Sequence, residues 1–344
     1  MIKKTTILLF ILLTTGMVFS QSKPYYSQYI LNNYILNPAV AGIENYTDVK
    51  LSYRNQWAGI EGAPVTSYFS VHGPIGKSDY KTSATSFEVP GENPRGKKFS
   101  DRYTAPDAHH GLGVTALNDK TGFINRWSTY ASYAYHQPLS VATSLSAGVN
   151  MGVTGFNLDR TKINFADLDP NDPAIGFING DVKVIKPELG AGLWLYGADY
   201  FAGLSVQNIL PGAVKFNAGA TAGNYFSPNY FLTGGYRFFL TDEVSALPSV
   251  MIQYMQPQLY GLHSNVKLQY LDKLWVGGSY HFSDLISGYS AMVGFNVSNT
   301  FNISYAYENS IGSQYKIFTK NTHEIVLGFL LGNKYGDFCP RNVW

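Results

Sequence analysis

Charge is scarce in this chain of 344 residues. Asp, Glu, Lys and Arg make up 14% of it, where a soluble globular domain carries about 25%. Cysteine is scarcer still: Cys339 stands alone, which excludes a disulfide scaffold. Long apolar runs are missing beyond the first twenty residues. The most apolar later stretch, 325–331, is interrupted by Gly328 and falls far short of the ~18 residues of a spanning helix. An excess of one sign of charge is missing too. The formal net charge is +2, and both surplus lysines, Lys3 and Lys4, lie at the extreme N-terminus, so nucleic acid is excluded as an expected partner.

What the chain does have is rings and glycine. It holds 26 Tyr, 21 Phe, 5 Trp and 34 Gly, with 45% hydrophobic residues overall, a composition that cannot stay solvated as a disordered chain. Lys3 and Lys4, the apolar run Ile7 to Leu13 and the small-residue site Val18-Phe19-Ser20 read as a secretory signal peptide over residues 1–20. An exported chain with low charge and no spanning helix is either a soluble β-protein or an outer-membrane barrel.

The hydrophobic period is two. In 301–308, Phe301, Ile303, Tyr305 and Tyr307 alternate with Asn302, Ser304, Ala306 and Glu308. In 48–56, Val49, Leu51 and Tyr53 oppose Asp48, Lys50, Ser52, Arg54 and Gln56, and 262–270 repeats the pattern with Ser264 as its one polar exception. Such windows predict about fourteen strands, at 46–56, 64–74, 110–118, 123–137, 142–157, 186–196, 199–208, 226–240, 245–256, 261–271, 274–283, 287–297, 300–309 and 320–330. An even number of strands, most near ten residues long, fits an all-β fold, a transmembrane antiparallel β-barrel. A β-sandwich or propeller would alternate as well, but without the low charge and the strand length. Tyr46, Trp57, Trp127, Tyr135, Trp194, Tyr196, Tyr270 and Trp275 sit at window ends and are expected in the aromatic girdles. Lys50, Arg54, Arg126, Glu188, Arg237, Lys267 and Glu308 are expected to point inward, and strand glycines such as Gly190 with Gly192, or Gly234, to relieve crowding beneath an internal segment.

No catalytic constellation emerges. Gly111 and Gly113 half-match a dinucleotide fingerprint but lie on a strand. His109-His110 reads as an exposed loop pair, His323-Glu324 lacks a second histidine, and Ser290 lacks a nucleophile frame. The loop Asp167 to Asp172 starts like a calcium loop, but Asp172 replaces the required glycine and Ile178 the bidentate Glu. The chain is therefore expected to be non-enzymatic, with no catalytic residue, metal or other cofactor.

Residues 24–42, PYYSQYILNNYILNPAVAG, do not alternate, and Ile30, Leu31, Tyr34 and Ile35 follow a helical spacing that Pro38 ends. With YRNQWAGIEGAPVTSYFSVHGPI at 53–75 this segment resembles the opening of the PorP/SprF family of Bacteroidota outer-membrane proteins. The matching positions are Ser27, Gln28, Tyr29, Asn37, Pro38, Ala39, Ala41, Gly42, Arg54, Gln56, Trp57, Gly59, Gly62, Ala63, Pro64, His72 and Pro74. GLGVTALNDKTG at 111–122, YASYAYHQPLS at 130–140, THEIVLGF at 322–329 and the tail FCPRNVW extend the similarity over the mature chain.

The resemblance implies a barrel of the type IX secretion system, sited in outer-membrane lipid. It also implies partners: a large secreted adhesin with a type B C-terminal domain, in gliding or adhesion, and other type IX components. It points to Gln28, Tyr29, Asn37, Pro38, Gly42, Arg54, Trp57, Pro64, Cys339, Pro340 and Trp344 as partner-binding residues. A porin or substrate-specific channel is the alternative. The expected organisation is a signal peptide at 1–20, a plug-like segment at 21–45, the barrel at 46–330 and a tail at 331–344. Strand parity puts the long connection 75–109 at the same end as both termini, where barrel turns are normally short.

Overall fold

The computed structural model describes residues 29–77, 97, 103–158, 183–210, 212–214, 224–255, 259–271, 273–283, 287–298, 300–311 and 321–333. Seventeen strands are present among them: β1 (Thr47–Asn55), β2 (Val65–Ile75), β3 (His109–Thr121), β4 (Ile124–Ser140), β5 (Thr143–Leu158), β6 (Lys183–Gly197), β7 (Tyr200–Gln207), β8 (Gly212–Val214), β9 (Asn224–Phe226), β10 (Asn229–Tyr236), β11 (Phe238–Phe239), β12 (Val244–Met255), β13 (Leu259–Tyr270), β14 (Leu274–Ser283), β15 (Ser287–Asn296), β16 (Phe301–Ile311) and β17 (Thr322–Leu331). All pairings are antiparallel. β1 joins β17, and β10 joins both β7 and β12, so the sheet closes on itself. β10 and β11 are two parts of one stave, both paired to β12, and the closed wall has fourteen staves.

The stave expected over 226–240 is interrupted. Its first residue belongs to a separate hairpin of β8 with β9, and Arg237 breaks the remainder. The Arg237 N–H donates to the Asp199 carbonyl at 2.6 Å while its guanidinium holds Asp199 Oδ1 at 2.9 Å and the Ala198 carbonyl at 2.8 Å. The charged side chain thus turns the strand at the rim.

Alternation sorts the wall into two faces. Leu51, Phe69, Val149, Leu193, Leu232, Ile252, Val266 and Val276 are exposed outward, while Ser52, Ser70, Asn150, Ser249, Asn265 and Ser279 are buried inward. Apolar-out and polar-in is the reverse of a soluble barrel and the pattern of one that stands in lipid. No described helix is long and apolar enough to cross a membrane.

The aromatic girdle expectation is half corrected. Tyr135 and Tyr270 are exposed outward, but Tyr46, Trp194, Tyr196 and Trp275 are buried inside. Glycine explains the inward tryptophans: Trp194 and Trp275 each have a glycine as direct cross-strand partner, Gly203 and Gly294. In each case a Cβ on that glycine would lie within 2.3 Å of the indole. The ring covers the bare backbone beside it, a cross-strand pairing that stabilises a sheet. Trp194 further stacks on Phe201, 5.1 Å and 11° apart.

Hairpin connectivity brings both barrel ends, Thr47 and Leu331, together at one rim, called here the terminus end. The 76–108 connection leaves the wall at that rim, and the 159–182, 208–228 and 312–321 connections leave at the far rim. Outer-membrane barrels keep their short turns in the periplasm and their longer loops outside, so the far rim with its three long connections is expected to be extracellular. A cysteine at Ser86, with Cys339 replaced, should then stay unlabelled by an impermeant thiol reagent on intact cells. Labelling without permeabilisation would show the assigned sidedness to be wrong.

Candidate functional site

The interior is occupied by the chain's own N-terminal segment. It does not form one helix but three short 3-10 turns, Tyr29–Leu31, Asn33–Ile35 and Pro38–Val40. Asn37 separates the second turn from the third. Its extended backbone precedes Pro38, and its Oδ1 accepts the Ala39 N–H at 3.0 Å as an N-cap. Proline at the first position of a turn is compatible with that cap, and the residue before it is held out of the helical region. The apolar spacing seen in the sequence therefore serves packing on several sides rather than one helical stripe. Ile30, Tyr34, Ala39, Val40, Ala41 and Ile43 form one core with Ala134, Trp194, Tyr196, Phe201 and Leu247, and Leu31 reaches Trp275, Met292 and Ala306.

Short 3-10 turns leave many carbonyls without partners in the segment itself, and the wall supplies donors. Ser205 Oγ and Gln207 Nε2 donate to the Leu36 carbonyl at 2.8 and 3.0 Å, Gln207 also to Ile35 at 2.8 Å, and Ser146 Oγ to Ala39 at 2.7 Å. In the other direction, Asn32 Nδ2 donates to Ser70 Oγ at 2.9 Å and the Tyr34 hydroxyl to Ser132 Oγ at 3.1 Å. Burial pushes the Tyr29 and Tyr34 phenols above their ordinary range, so both remain neutral hydroxyls.

Three histidines clasp the exit of the segment. The Gly42 N–H donates to His72 Nδ1 at 3.2 Å, His136 Nε2 lies 2.8 Å from the Ala41 carbonyl, and His109 Nε2 lies 3.2 Å from the Gly42 carbonyl. His109 and His136 stack 4.4 Å apart at 2°. Because His72 Nδ1 accepts, the proton of its neutral ring is on Nε2. Lys77 Nζ adds a donor to the Ile43 carbonyl at 3.1 Å. The imidazoles thus serve backbone groups, and no described cluster of three His, Cys, Asp or Glu is set to hold a metal.

Glycines make the seat. A Cβ at Gly111 would lie 1.8 Å from the Ala41 carbonyl oxygen, one at Gly148 2.5 Å from the Ala39 nitrogen, one at Gly192 2.0 Å from Asn37 Oδ1, and one at Gly113 2.4 Å from the Tyr34 hydroxyl. Gly42 itself has φ +74°, and a Cβ there would meet Gly111 Cα at 2.4 Å, so this position demands glycine twice over. Of the strand glycines singled out in the sequence, Gly192 is part of the seat. Gly190 abuts Asn150 and the Val206 carbonyl instead, and Gly234 has only the Phe201 carbonyl within 4 Å.

The residues proposed from sequence distribute as follows. Tyr29, Asn37, Pro38 and Gly42 lie in the seated segment. The Tyr29 phenol accepts from Asn265 Nδ2, Asn37 Nδ2 donates to the Leu193 and Leu204 carbonyls at 3.0 and 3.3 Å, and Pro38 rests over Gly148. Arg54 faces the lumen with Glu308 at 3.2 Å and Glu324 at 3.8 Å. Trp57 and Pro64 belong to the first far-rim turn. Trp57 has φ +53° and its N–H donates to Thr322 Oγ1 at 3.3 Å, and the Pro64 carbonyl accepts from Gln56 at 2.9 Å. Gln28, Cys339, Pro340, Trp344 and the acidic loop 167–172 lie outside the described residues.

No sequence motif singles out His136, and the exposed-loop expectation for His109-His110 is overturned. Both are strand residues, His109 buried on the seat and His110 exposed on the outer face beside Tyr133. The available signal was parity, since His109 shares a face with Gly111 and Gly113, and His136 with Ser132 and Ala134.

Residues 18–329 match the family described as type IX secretion system membrane protein PorP/SprF. No curated protein matches the chain. Among solved structures, the toluene transporter TbuX of Ralstonia pickettii is similar, with 11% identity, 86% of this chain and 92% of that chain covered, and a TM-score of 0.49. The outer membrane protein Omp33 of Acinetobacter baumannii gives 8%, 84%, 100% and 0.46, and the KdgM porin 8%, 82%, 98% and 0.35.

Proposed function

Since the chain belongs to the PorP/SprF family of type IX secretion system membrane proteins and is an outer-membrane barrel, we propose that it binds and helps export or anchor a large surface adhesin carrying a type B C-terminal domain, without catalysis. The observation that carries this reading is the seated N-terminal segment. A barrel whose interior is filled by its own chain, held by wall donors and a glycine seat, is built to hold rather than to pass solutes.

In this proposal the two rims divide the work. The first far-rim turn, with Trp57 and Pro64, meets the adhesin at the cell surface. The tail with Cys339, Pro340 and Trp344 follows β17, which ends at the terminus rim, and in this proposal it meets other type IX components. Tyr29, Asn37, Pro38, Gly42 and Arg54 act indirectly by keeping the segment and the wall in place, and Gln28 continues the same segment. Solubilising native membranes and capturing the tagged barrel should co-purify a large adhesin fragment. An eluate without adhesin, from a barrel that conducts steadily in a planar bilayer, would support the channel reading instead. That second reading has one observation in its favour: the inward face is lined by Ser, Thr, Asn and His, a surface compatible with water.

A further inference from the structure

The outer face carries a dent that the seated segment does not explain. Across β4, β5, β6, β7 and β10 a groove of about 620 Å³ lies between Tyr133 and Tyr135 on one side and Tyr230 on the other. Its floor is Ala147, Ala191 and the bare backbone of Gly148 and Gly192. The two glycines are required inside, where Ala39 and Asn37 press against them. The two alanines point outward, where nothing of the segment reaches, and the outward positions beside them are large: Val149, Met151, Leu193 and Leu204. Small residues at these two positions keep a concavity open on a face whose solvent is hydrocarbon.

We propose that this groove is a site for one phospholipid of the leaflet at the terminus end, its acyl chain lying over Ala147 and Ala191. The size fits: at the ~30 Å³ that a water-sized group occupies in a liquid, the groove takes on the order of twenty carbon-sized groups. An unfilled dent of that size would forfeit dispersion contacts along its whole lining. The direction follows from the polar atoms. Tyr133 and Tyr135 are tied toward the terminus rim, Tyr133 by its hydroxyl to His110 Nδ1 at 2.7 Å and Tyr135 to Gln137 Oε1 at 3.0 Å. His110 is the second residue of β3, at that rim. The phenols and imidazole thus offer an amphipathic edge where a headgroup sits, and the apolar groove leads away from it.

The test uses the full-length barrel in detergent, titrated with phosphatidylethanolamine and examined by native mass spectrometry. Wild type should retain one lipid through detergent removal. Ala147→Leu/Ala191→Leu, which fills the groove, should lose it, and Val250→Leu on another part of the wall should keep it. Heat-modifiable gel migration checks that all three are folded. A photoreactive residue at Val149 in native membranes should give a lipid adduct. Equal retention in all three proteins, no retention in wild type, or a protein adduct at Val149 would each overturn the assignment.

Discussion

Deleting residues 29–43 should turn an electrically silent barrel into a conducting one. The segment contributes the buried side chains Ile30, Tyr34, Ile35, Leu36, Val40 and Ile43 to the interior, and the wall that receives it is mostly hydroxyl, amide and imidazole. With the segment gone, Ser70, Ser132, Ser146, Ser205, Gln207 and the three histidines lose backbone or side-chain partners to which they now bond. Water replaces those partners at little cost in a polar lumen. The apolar contacts have no such replacement, and at ~1.5–3 kcal/mol for each fully buried large side chain their loss should lower the temperature of heat-modifiable unfolding. Gly111→Val should act in the same direction without deletion. A Cβ there meets backbone on every side, the Ala41 carbonyl carbon at 2.5 Å and the Gly42 nitrogen at 2.9 Å, so the segment must lift from its seat. Planar-bilayer recording checks both. A deletion variant that folds, keeps its thermal transition and stays silent would mean that the lumen is closed by something else.

The wall was readable from sequence because burial on one face writes a period of two into every stave. His263, Asn265, Lys267 and Gln269 are buried inward, with Leu262, Val266, Leu268 and Tyr270 outward, as their alternation requires. The exceptions lie where a large residue breaks the simple chemistry of the faces. Trp194 and Trp275 were expected at the lipid interfaces because rings favour them, yet both share parity with inward residues and cover cross-strand glycines. Local composition does not reveal a cross-strand partner, so this could be seen only once register was known. The seat is legible only in part: Gly192 is one of the strand glycines expected beneath an internal segment, but its companions depend on register. Gly111 and Gly113 on β3, Gly148 on β5 and Gly192 on β6 come from three separate strands, and only the closed sheet lines them up under residues 34–42. The spacing of Ile30, Leu31, Tyr34 and Ile35 is compatible with a helix, but apolar spacing cannot tell a helix with one buried stripe from a strap of three turns buried all round.

Replacing Arg54 by Met should be the most destabilising single change in the wall. Arg54 is 1% exposed and stands on β1, the first stave, where the sheet closes against the last. Its guanidinium donates to Glu308 at 3.2 Å and to Gln56 Oε1 at 2.7 Å, and its direct cross-strand partner is Glu324. Ser52 Oγ donates to that same carboxylate at 3.2 Å. One cation thus serves two buried carboxylates on β16 and β17, and removing it leaves two like charges facing each other. Breaking a buried ion pair from one side costs about 3–5 kcal/mol. Arg54→Lys should recover only part of that, since an ammonium cannot span both carboxylates as a planar guanidinium does. The triple variant Arg54→Met/Glu308→Gln/Glu324→Gln should recover most of it, because neutral amides carry no repulsion. Denaturant unfolding followed by heat-modifiable migration measures the series. An unfolding midpoint for Arg54→Met equal to that of wild type would show that the seam is held by its backbone ladder alone; a triple variant no better than the single one would place the loss in side-chain packing rather than charge.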